Sequence, residues 1–86
     1  MTTKPPASIR EFTPESLEKI AYSSVSTIPV EESNDRNRLG YHVFRWLVNK
    51  NGTIEEAVTE SDARMHISVP EAVIIIREAL QKSGVL

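Results

Sequence analysis

Residues 44–57 decide how this chain folds, and they read FRWLVNKNGTIEEA. The Asn51-Gly52 pair at the centre of this stretch has two structural meanings. Between two apolar segments it is the strongest short-range signal of a β-hairpin. After a helix it is a terminator, because both residues accept the left-handed backbone that ends helices. The choice separates an α+β domain from a mostly helical one.

The residues before Asn51-Gly52 favour a helix from Asn34 to Asn49, with Ser33 as its N-cap. Its apolar residues recur at helical spacing and cover well over half of the circumference, and they are Leu39, Tyr41, Val43, Phe44, Trp46, Leu47 and Val48. We expect other elements to surround such a helix, with Trp46 in the core. Gly40 is its weak point, at a cost of about 1 kcal/mol relative to alanine.

The residues after Asn51-Gly52 carry two capping-box patterns, in which a Ser or Thr is followed three residues later by Glu. The first pattern, Thr53 to Glu56, predicts a helix from Ile54 to about Arg64. The second, Ser68 to Glu71, predicts a final helix that ends at Ser83-Gly84. Both segments carry apolar residues at helical spacing behind the cap.

The N-terminal part of the chain adds one more helix. Thr13 as N-cap and Pro14 at the first helical position predict a helix from Pro14 to about Ser23. Residues 1–11, which contain Pro5-Pro6, are predicted to be a flexible arm. Residues 23–32 are expected to be an extended linker or a short edge strand, because Pro29 cannot donate to a strand ladder.

The predicted fold is therefore a mostly α single domain over residues 12–86, with four helices of which the last three form a helix-turn-helix-like unit. The alternative is an α+β domain in which residues 43–48 and 54–58 are the two strands of a hairpin around Asn51-Gly52. That arrangement loosely resembles the strand–turn–strand–helix order of the C-terminal domain of TonB-type energy transducers.

The composition of the chain limits the kinds of chemical site that it can contain. The chain has 86 residues, no cysteine and a formal net charge of −2, so it has no disulfide and no cysteine-ligated metal. His42 and His66 do not form a metal-ligand spacing. Ser33, Thr53 and Ser68 are interpreted as helix caps rather than nucleophiles. We predict a non-enzymatic protein without metal, cofactor or small-molecule substrate.

The longest apolar run, Ala72 to Ile76, is far shorter than the ~20 residues that span a bilayer. The N-terminus reads MTTKPP, without the apolar segment of a signal peptide. These features predict a cytoplasmic protein that does not enter the membrane.

The segments from Phe44 to Ala57 and from Ile76 to Leu86 resemble the first-helix exit and the recognition-helix exit of winged-helix and related helix-turn-helix domains. The resemblance covers residues 36–86. It implies that the Ser68 helix is the recognition helix, that the Thr53 helix supports it, and that duplex DNA is a partner. From this sequence we expect no β-wing of that family after Leu86, and the distance from Thr53 to Ser68 is longer than in a compact helix-turn-helix.

Charge is unevenly distributed along the chain. Residues 36–50 contain four basic residues and no acidic one. The predicted nucleic-acid contacts are Arg36, Arg38, Arg45 and Lys50 from this block, together with Arg77 and Gln81 on the final helix. The competing interpretation is a charge seam, within one chain or between subunits, in which Arg38, His42 and Arg45 pair with the acidic residues that follow, namely Glu55, Glu56, Glu60 and Asp62.

These features support two predicted functions. The first is a small helix-turn-helix-type regulator or adaptor that acts on nucleic acid or a transcription complex. The alternative is a protein-interaction module or small assembly subunit without nucleic-acid contact.

Self-association or an obligate protein partner is predicted from the final helix. Ile74 falls opposite the apolar face of that helix, and a chain this short cannot enclose all of its apolar surface. A homodimer or protein partner is therefore expected, with Ile74, Glu78, Val85 and Leu86 in the interface.

Overall fold

The computed structural model describes residues 12–86. They form four helices: α1 (Pro14–Ser24), α2 (Ser33–Asn49), α3 (Ile54–Glu60) and α4 (Val69–Lys82). The prediction of a mostly helical four-helix domain is confirmed. The hairpin alternative is not supported, because the two segments proposed as its strands lie in α2 and α3. The predicted arm, residues 1–11, lies outside the described residues.

Three of the four helix starts follow the predicted caps. The Thr13 hydroxyl accepts the backbone N–H of Ser16 at 3.1 Å. At the start of α3, Thr53 and Glu56 form a reciprocal capping box. Ser68 caps α4 in the same way. Short-range hydrogen bonding therefore fixes these starts.

The predicted Ser33 cap of α2 is wrong by one residue. Glu32 is the N-cap, and its backbone N–H donates to the Asp35 carboxylate at 3.1 Å. A capping box needs an acceptor side chain three residues after the cap. Relative to Ser33 that position is occupied by Arg36, which cannot accept a hydrogen bond.

The end of α2 uses Lys50 rather than Asn51-Gly52 as its cap. Lys50 has a left-handed backbone (φ 56°), and its N–H donates to the Trp46 carbonyl at 2.7 Å. Gly52 (φ 76°) then turns the chain toward α3. The glycine thus acts in the link between the two helices.

Helix α3 ends about four residues before the predicted end at Arg64. The Ser61 hydroxyl donates to the Val58 carbonyl at 2.6 Å, and Asp62 has a left-handed backbone (φ 58°). Both features stop the helix. The following segment instead pairs with the α1–α2 link through one antiparallel bridge between Val30 and Met65. The short strand considered for residues 23–32 is therefore reduced to this single bridge.

The helices pack as a closed cycle. Helix α2 packs on α1 and α3, and α4 packs on the same two helices, so α2 and α4 are diagonal to each other. The shared core includes Leu17, Ala21, Val25, Ile28, Leu39, Val43, Leu47, Ile54, Val58, Ala72, Val73, Ile76, Leu80 and Val85.

The prediction that α2 is surrounded by other elements is wrong. Tyr41 is 48% exposed and Val48 is 49% exposed. Trp46 lies at the edge of the core and is only partly buried. Two neighbouring helices cannot cover an apolar arc of more than half a circumference, so part of it faces outward.

Candidate interaction surface

Helix α2 carries an exposed face of mixed apolar and basic character, which we call the α2 outer face. It consists of Tyr41, Phe44 and Val48 with Arg38 and Arg45 beside them. Tyr41 and Val48 are half exposed, and Phe44 is partly buried. Residues seven apart project from nearly the same side of a helix, so Tyr41 and Val48 form one apolar seam.

The charges of this face lie on one flank. Arg38 is three residues before Tyr41 and Arg45 is four residues after it, and these offsets place both on the same side of Tyr41. Helix α2 has no acidic residue after Asp35. The flank is therefore uniformly positive.

Arg45 lies against Tyr41. Its guanidinium carbon is 5.8 Å from the centroid of the Tyr41 ring, which is within the range of a cation–π contact. The Tyr41 ring also meets His42 edge to face, with centroids 5.7 Å apart. Arg45 forms no ion pair within 4 Å among residues 12–86, so its charge remains available to a partner.

The end of α2 forms a second aromatic–cation contact. The Lys50 ammonium lies 4.7 Å from the centroid of the Trp46 ring. The Trp46 indole N–H donates to the Gly52 carbonyl at 2.9 Å. This hydrogen bond explains why Trp46 lies at the edge of the core, since the ring packs while its polar end reaches the α2–α3 link.

A cleft of about 310 Å³ separates α2 from α3, lined by His42, Arg45, Trp46, Asn49, Asn51, Gly52, Glu56, Ala57 and Glu60. Its two walls carry opposite charges, but within the described part of the chain no ion pair joins them. The predicted charge seam between Arg38, His42 and Arg45 and the acidic residues after them is therefore not formed as direct pairs within one chain.

Arg38 pairs within its own helix instead. Its guanidinium contacts the Asp35 carboxylate, which is fully buried. The Nε of Arg64 lies 3.5 Å from the same carboxylate, and Arg64 also approaches Glu31 and Glu32 at 3.7 Å. This cluster ties the start of α2 to the α3–α4 link.

The cluster also determines the ionisation of Asp35. Burial alone would raise the pKa of Asp35. Hydrogen bonds from the backbone of Arg64 and Glu32 lower it, the positive charges of Arg64 and Arg38 lower it further, and together these effects outweigh burial. The pKa of this carboxyl is therefore lowered. Sequence reasoning missed Asp35 and Arg64 as a pair, although the three-residue spacing of Glu32 and Asp35 was a signal for the cap.

Arg36 also has an internal role. Its Nη2 donates to the Ile28 carbonyl at 2.6 Å. Its Nε is buried without a hydrogen-bond partner among the residues described. Arg36 therefore stabilises the α1–α2 link. Arg36 and Arg38 are both predicted nucleic-acid contacts, and in the structure each is bonded to another group of the chain.

The exposed face of α4 matches its prediction in part. Ile74 is 57% exposed, and Arg77, Glu78 and Gln81 are exposed near it. Because α4 is diagonal to α2, Arg77 and Gln81 do not adjoin Arg45 and Lys50. The structure therefore does not bring the six predicted nucleic-acid contacts together on one surface.

Val85 must be removed from the predicted partner surface, because it is only 4% exposed. Its N–H donates to the Leu80 carbonyl at 3.2 Å, and the Gly84 N–H donates to the Gln81 carbonyl at 3.0 Å. This is a Schellman motif, in which the residue after the glycine packs back onto the helix. Leu86 remains 45% exposed, as its predicted role requires.

No group of three or more potential metal ligands occurs within residues 12–86. No helix in the same range is long and apolar enough to cross a membrane. No family model, curated protein or solved structure matches this chain.

Proposed function

We propose that this chain is a small protein-interaction module and that the α2 outer face is its binding surface. The observation that carries the proposal is the pair of half-exposed apolar residues, Tyr41 and Val48, on one side of α2 with Arg45 against the Tyr41 ring. A single exposed hydrophobic residue is ordinary. An aligned apolar seam with a positive flank is the composition of an interface centre, where Tyr and Arg are enriched.

The chemistry of this face specifies its partner. An amphipathic helix can lay its apolar residues along the seam formed by Tyr41 and Val48. Its adjoining flank should be acidic, because it would face Arg38 and Arg45. The partner class is therefore an acidic amphipathic helix.

Duplex DNA binding by a helix-turn-helix-type regulator is the second candidate. It is supported by two cations next to aromatic rings, Arg45 at Tyr41 and Lys50 at Trp46. Affinity for duplex DNA grows with the number of phosphates neutralised. With Arg36 bonded to the Ile28 carbonyl, α2 offers few such contacts, and the exposed face of α4 also carries Glu71 and Glu78. For both candidate functions, we propose that the protein is not an enzyme and that it is located in the cytoplasm.

Shift mapping by heteronuclear NMR tests the leading proposal with two synthetic helical peptides. The peptides share one leucine ridge, but one has a glutamate flank and the other a lysine flank. We expect the glutamate peptide to cause saturable shifts centred on Tyr41, Arg45 and Val48, and the lysine peptide to cause none at these three residues. In the same experiment Tyr41→Ser plus Val48→Ser should abolish binding, while Ile74→Ser should retain it.

A titration with duplex DNA at several salt concentrations tests the second candidate. DNA affinity that falls steeply with salt and is lost in Arg45→Ala plus Lys50→Ala would support it. If that result came with no response to the glutamate peptide, the leading proposal would be overturned. Absence of DNA binding even at low salt would remove the second candidate.

A further inference from the structure

We infer that a second copy of this chain supplies the partner helix, and that the exposed face of its α4 docks on the α2 outer face. The inference rests on the proposed function, because it uses the same surface of α2. Among residues 12–86, three of the four exposed large hydrophobic residues, Tyr41, Val48 and Ile74, lie on these two faces.

The two faces have the same layout with opposite charges. On α2, Tyr41 has Arg38 three residues before it and Arg45 four residues after it. On α4, Ile74 has Glu71 three residues before it and Glu78 four residues after it. In both helices these offsets place the charged pair on the same flank of the apolar residue.

Antiparallel packing brings these charges together. When two helices pack face to face in opposite directions, the same flank of each meets the other. With Ile74 against Tyr41, Arg45 lies opposite Glu71 and Arg38 lies opposite Glu78. Each pair is offset along the axis by one residue, about 1.5 Å. The apolar contact and both charge pairs can therefore form at once.

The four charged side chains that would form these pairs can each still make a further contact. Arg45 has only the Tyr41 ring near its guanidinium among the described contacts. Arg38 contacts Asp35 through Nη2 and has five donors in all. Glu71 accepts the Ser68 N–H at 3.2 Å through Oε1, and its other carboxylate oxygen takes no part in this cap.

The same charges disfavour symmetric pairing. Two α2 outer faces packed antiparallel would set arginine against arginine, and two α4 faces would set glutamate against glutamate, which costs free energy at an interface. The α2 and α4 of one chain are diagonal and cannot pair with each other. Because α2 and α4 lie at opposite corners of the helix cycle, one partner chain cannot cover both outer faces at once. The contact is therefore head to tail, and it builds a closed ring or a chain rather than a two-fold dimer.

Two variants of the full chain test this arrangement. Tyr41→Asp destroys the α2 face and leaves the α4 face intact, whereas Ile74→Lys does the reverse. Both positions are exposed, so far-ultraviolet circular dichroism should stay unchanged. We expect wild-type chain to associate in sedimentation equilibrium, and each variant alone to associate at least about tenfold more weakly.

The mixture of the two variants is the decisive sample. An equimolar mixture should form a heterodimer and stop there, because one intact α2 face and one intact α4 face remain. A two-fold interface through α4 would instead leave Tyr41→Asp fully associated and give no recovery in the mixture, which would overturn the inference.

The peptide experiment separates this inference from the proposed function. A wild-type chain that is monomeric at high micromolar concentration but binds the glutamate peptide on α2 would overturn the second-copy inference and leave the interaction module in place. A chain that does neither would overturn both. Association that the two variants abolish and their mixture restores supports both.

Discussion

At the scale of single residues, Gly40 lies where the ring of Tyr22 packs directly against the backbone of α2. A Cβ atom at this position would overlap the Tyr22 ring. From the sequence, Gly40 is only a weak point of the helix. The structure shows that it allows α1 and α2 to approach closely.

Gly40→Ala should therefore destabilise the protein, although alanine is the better helix former by about 1 kcal/mol. We expect a net loss of up to about 2 kcal/mol in the free energy of unfolding, because the added methyl overpacks the contact at a cost of about 1–3 kcal/mol, which exceeds the gain in helix propensity. Urea denaturation measures this change. Asn37→Ala, at an exposed position of the same helix, is the control and should cost nothing.

The double variant identifies the cause. In a Tyr22→Ala background the ring is gone, so Gly40→Ala should be neutral or stabilising. If Gly40→Ala remained equally destabilising without the ring, the packing explanation would be wrong.

At the scale of elements, the start of α2 depends on one buried carboxylate. Asp35 completes the capping box with Glu32 and also meets Arg38 and Arg64. It therefore joins a helix start to the link between α3 and α4, in addition to the bridge between Val30 and Met65. One side chain thus stabilises both a helix end and a tertiary contact.

The lowered pKa of Asp35 predicts an acid-dependent stability. The ionised carboxylate stabilises the folded state above the ordinary pKa of 3.8, and this contribution is lost as the pH falls through the lower pKa of the folded state. Asp35→Asn should therefore be clearly less stable than wild type near neutral pH. The difference should shrink below about pH 4.

Urea denaturation of both proteins between about pH 7 and about pH 2.5 checks this prediction. Glu31→Gln, on an exposed member of the cluster, is the control and should change stability little. A stability difference for Asp35→Asn that stayed constant over this range would show that ionisation of Asp35 is not its source.

At the scale of the whole molecule, all four helices share one small core, so stability depends on few side chains. A domain of this size is only marginally stable. Ile76 is fully buried and Ile74 is exposed, two positions apart on the same helix. Substituting Ile76 and Ile74 separately therefore compares the contribution of a buried and an exposed side chain of the same type to the free energy of unfolding.

Ile76→Ala should lower the free energy of unfolding by about 2–5 kcal/mol, through lost burial and a new cavity. Ile74→Ala should change it by no more than about 0.5 kcal/mol. Thermal denaturation at low protein concentration, where the chain is monomeric, measures both. Equal costs at the two positions would contradict the assigned core.

The sequence by itself determined most of the helix starts. Thr13, Thr53 and Ser68 each accept a hydrogen bond from the backbone N–H three residues further on. Such caps depend on local hydrogen bonds and need no tertiary partner. The cap of α2 was misassigned by one residue because two polar residues, Glu32 and Ser33, stand side by side. The spacing to Asp35 distinguishes them.

The sequence also identified Ile74 as exposed, because it lies alone opposite a well-defined apolar face. The sequence could not identify the exposed apolar residues of α2 in this way. There the apolar arc is wider than two helices can cover, and the sequence does not state which part is left open. The positions of α1 and α3 decide that Leu39, Val43 and Leu47 are buried while Tyr41 and Val48 are not.

Tertiary structure alone decided which charges remain available. Arg36 and Arg45 are equivalent in the sequence as members of one basic block. Arg36 reaches the Ile28 carbonyl, whereas Arg45 lies against Tyr41 at the surface. These roles depend on how the links fold back on α2, which involves groups distant along the chain. Helix starts are local and were therefore readable from the sequence, whereas the binding surface arises from packing between helices and appeared only in the folded chain.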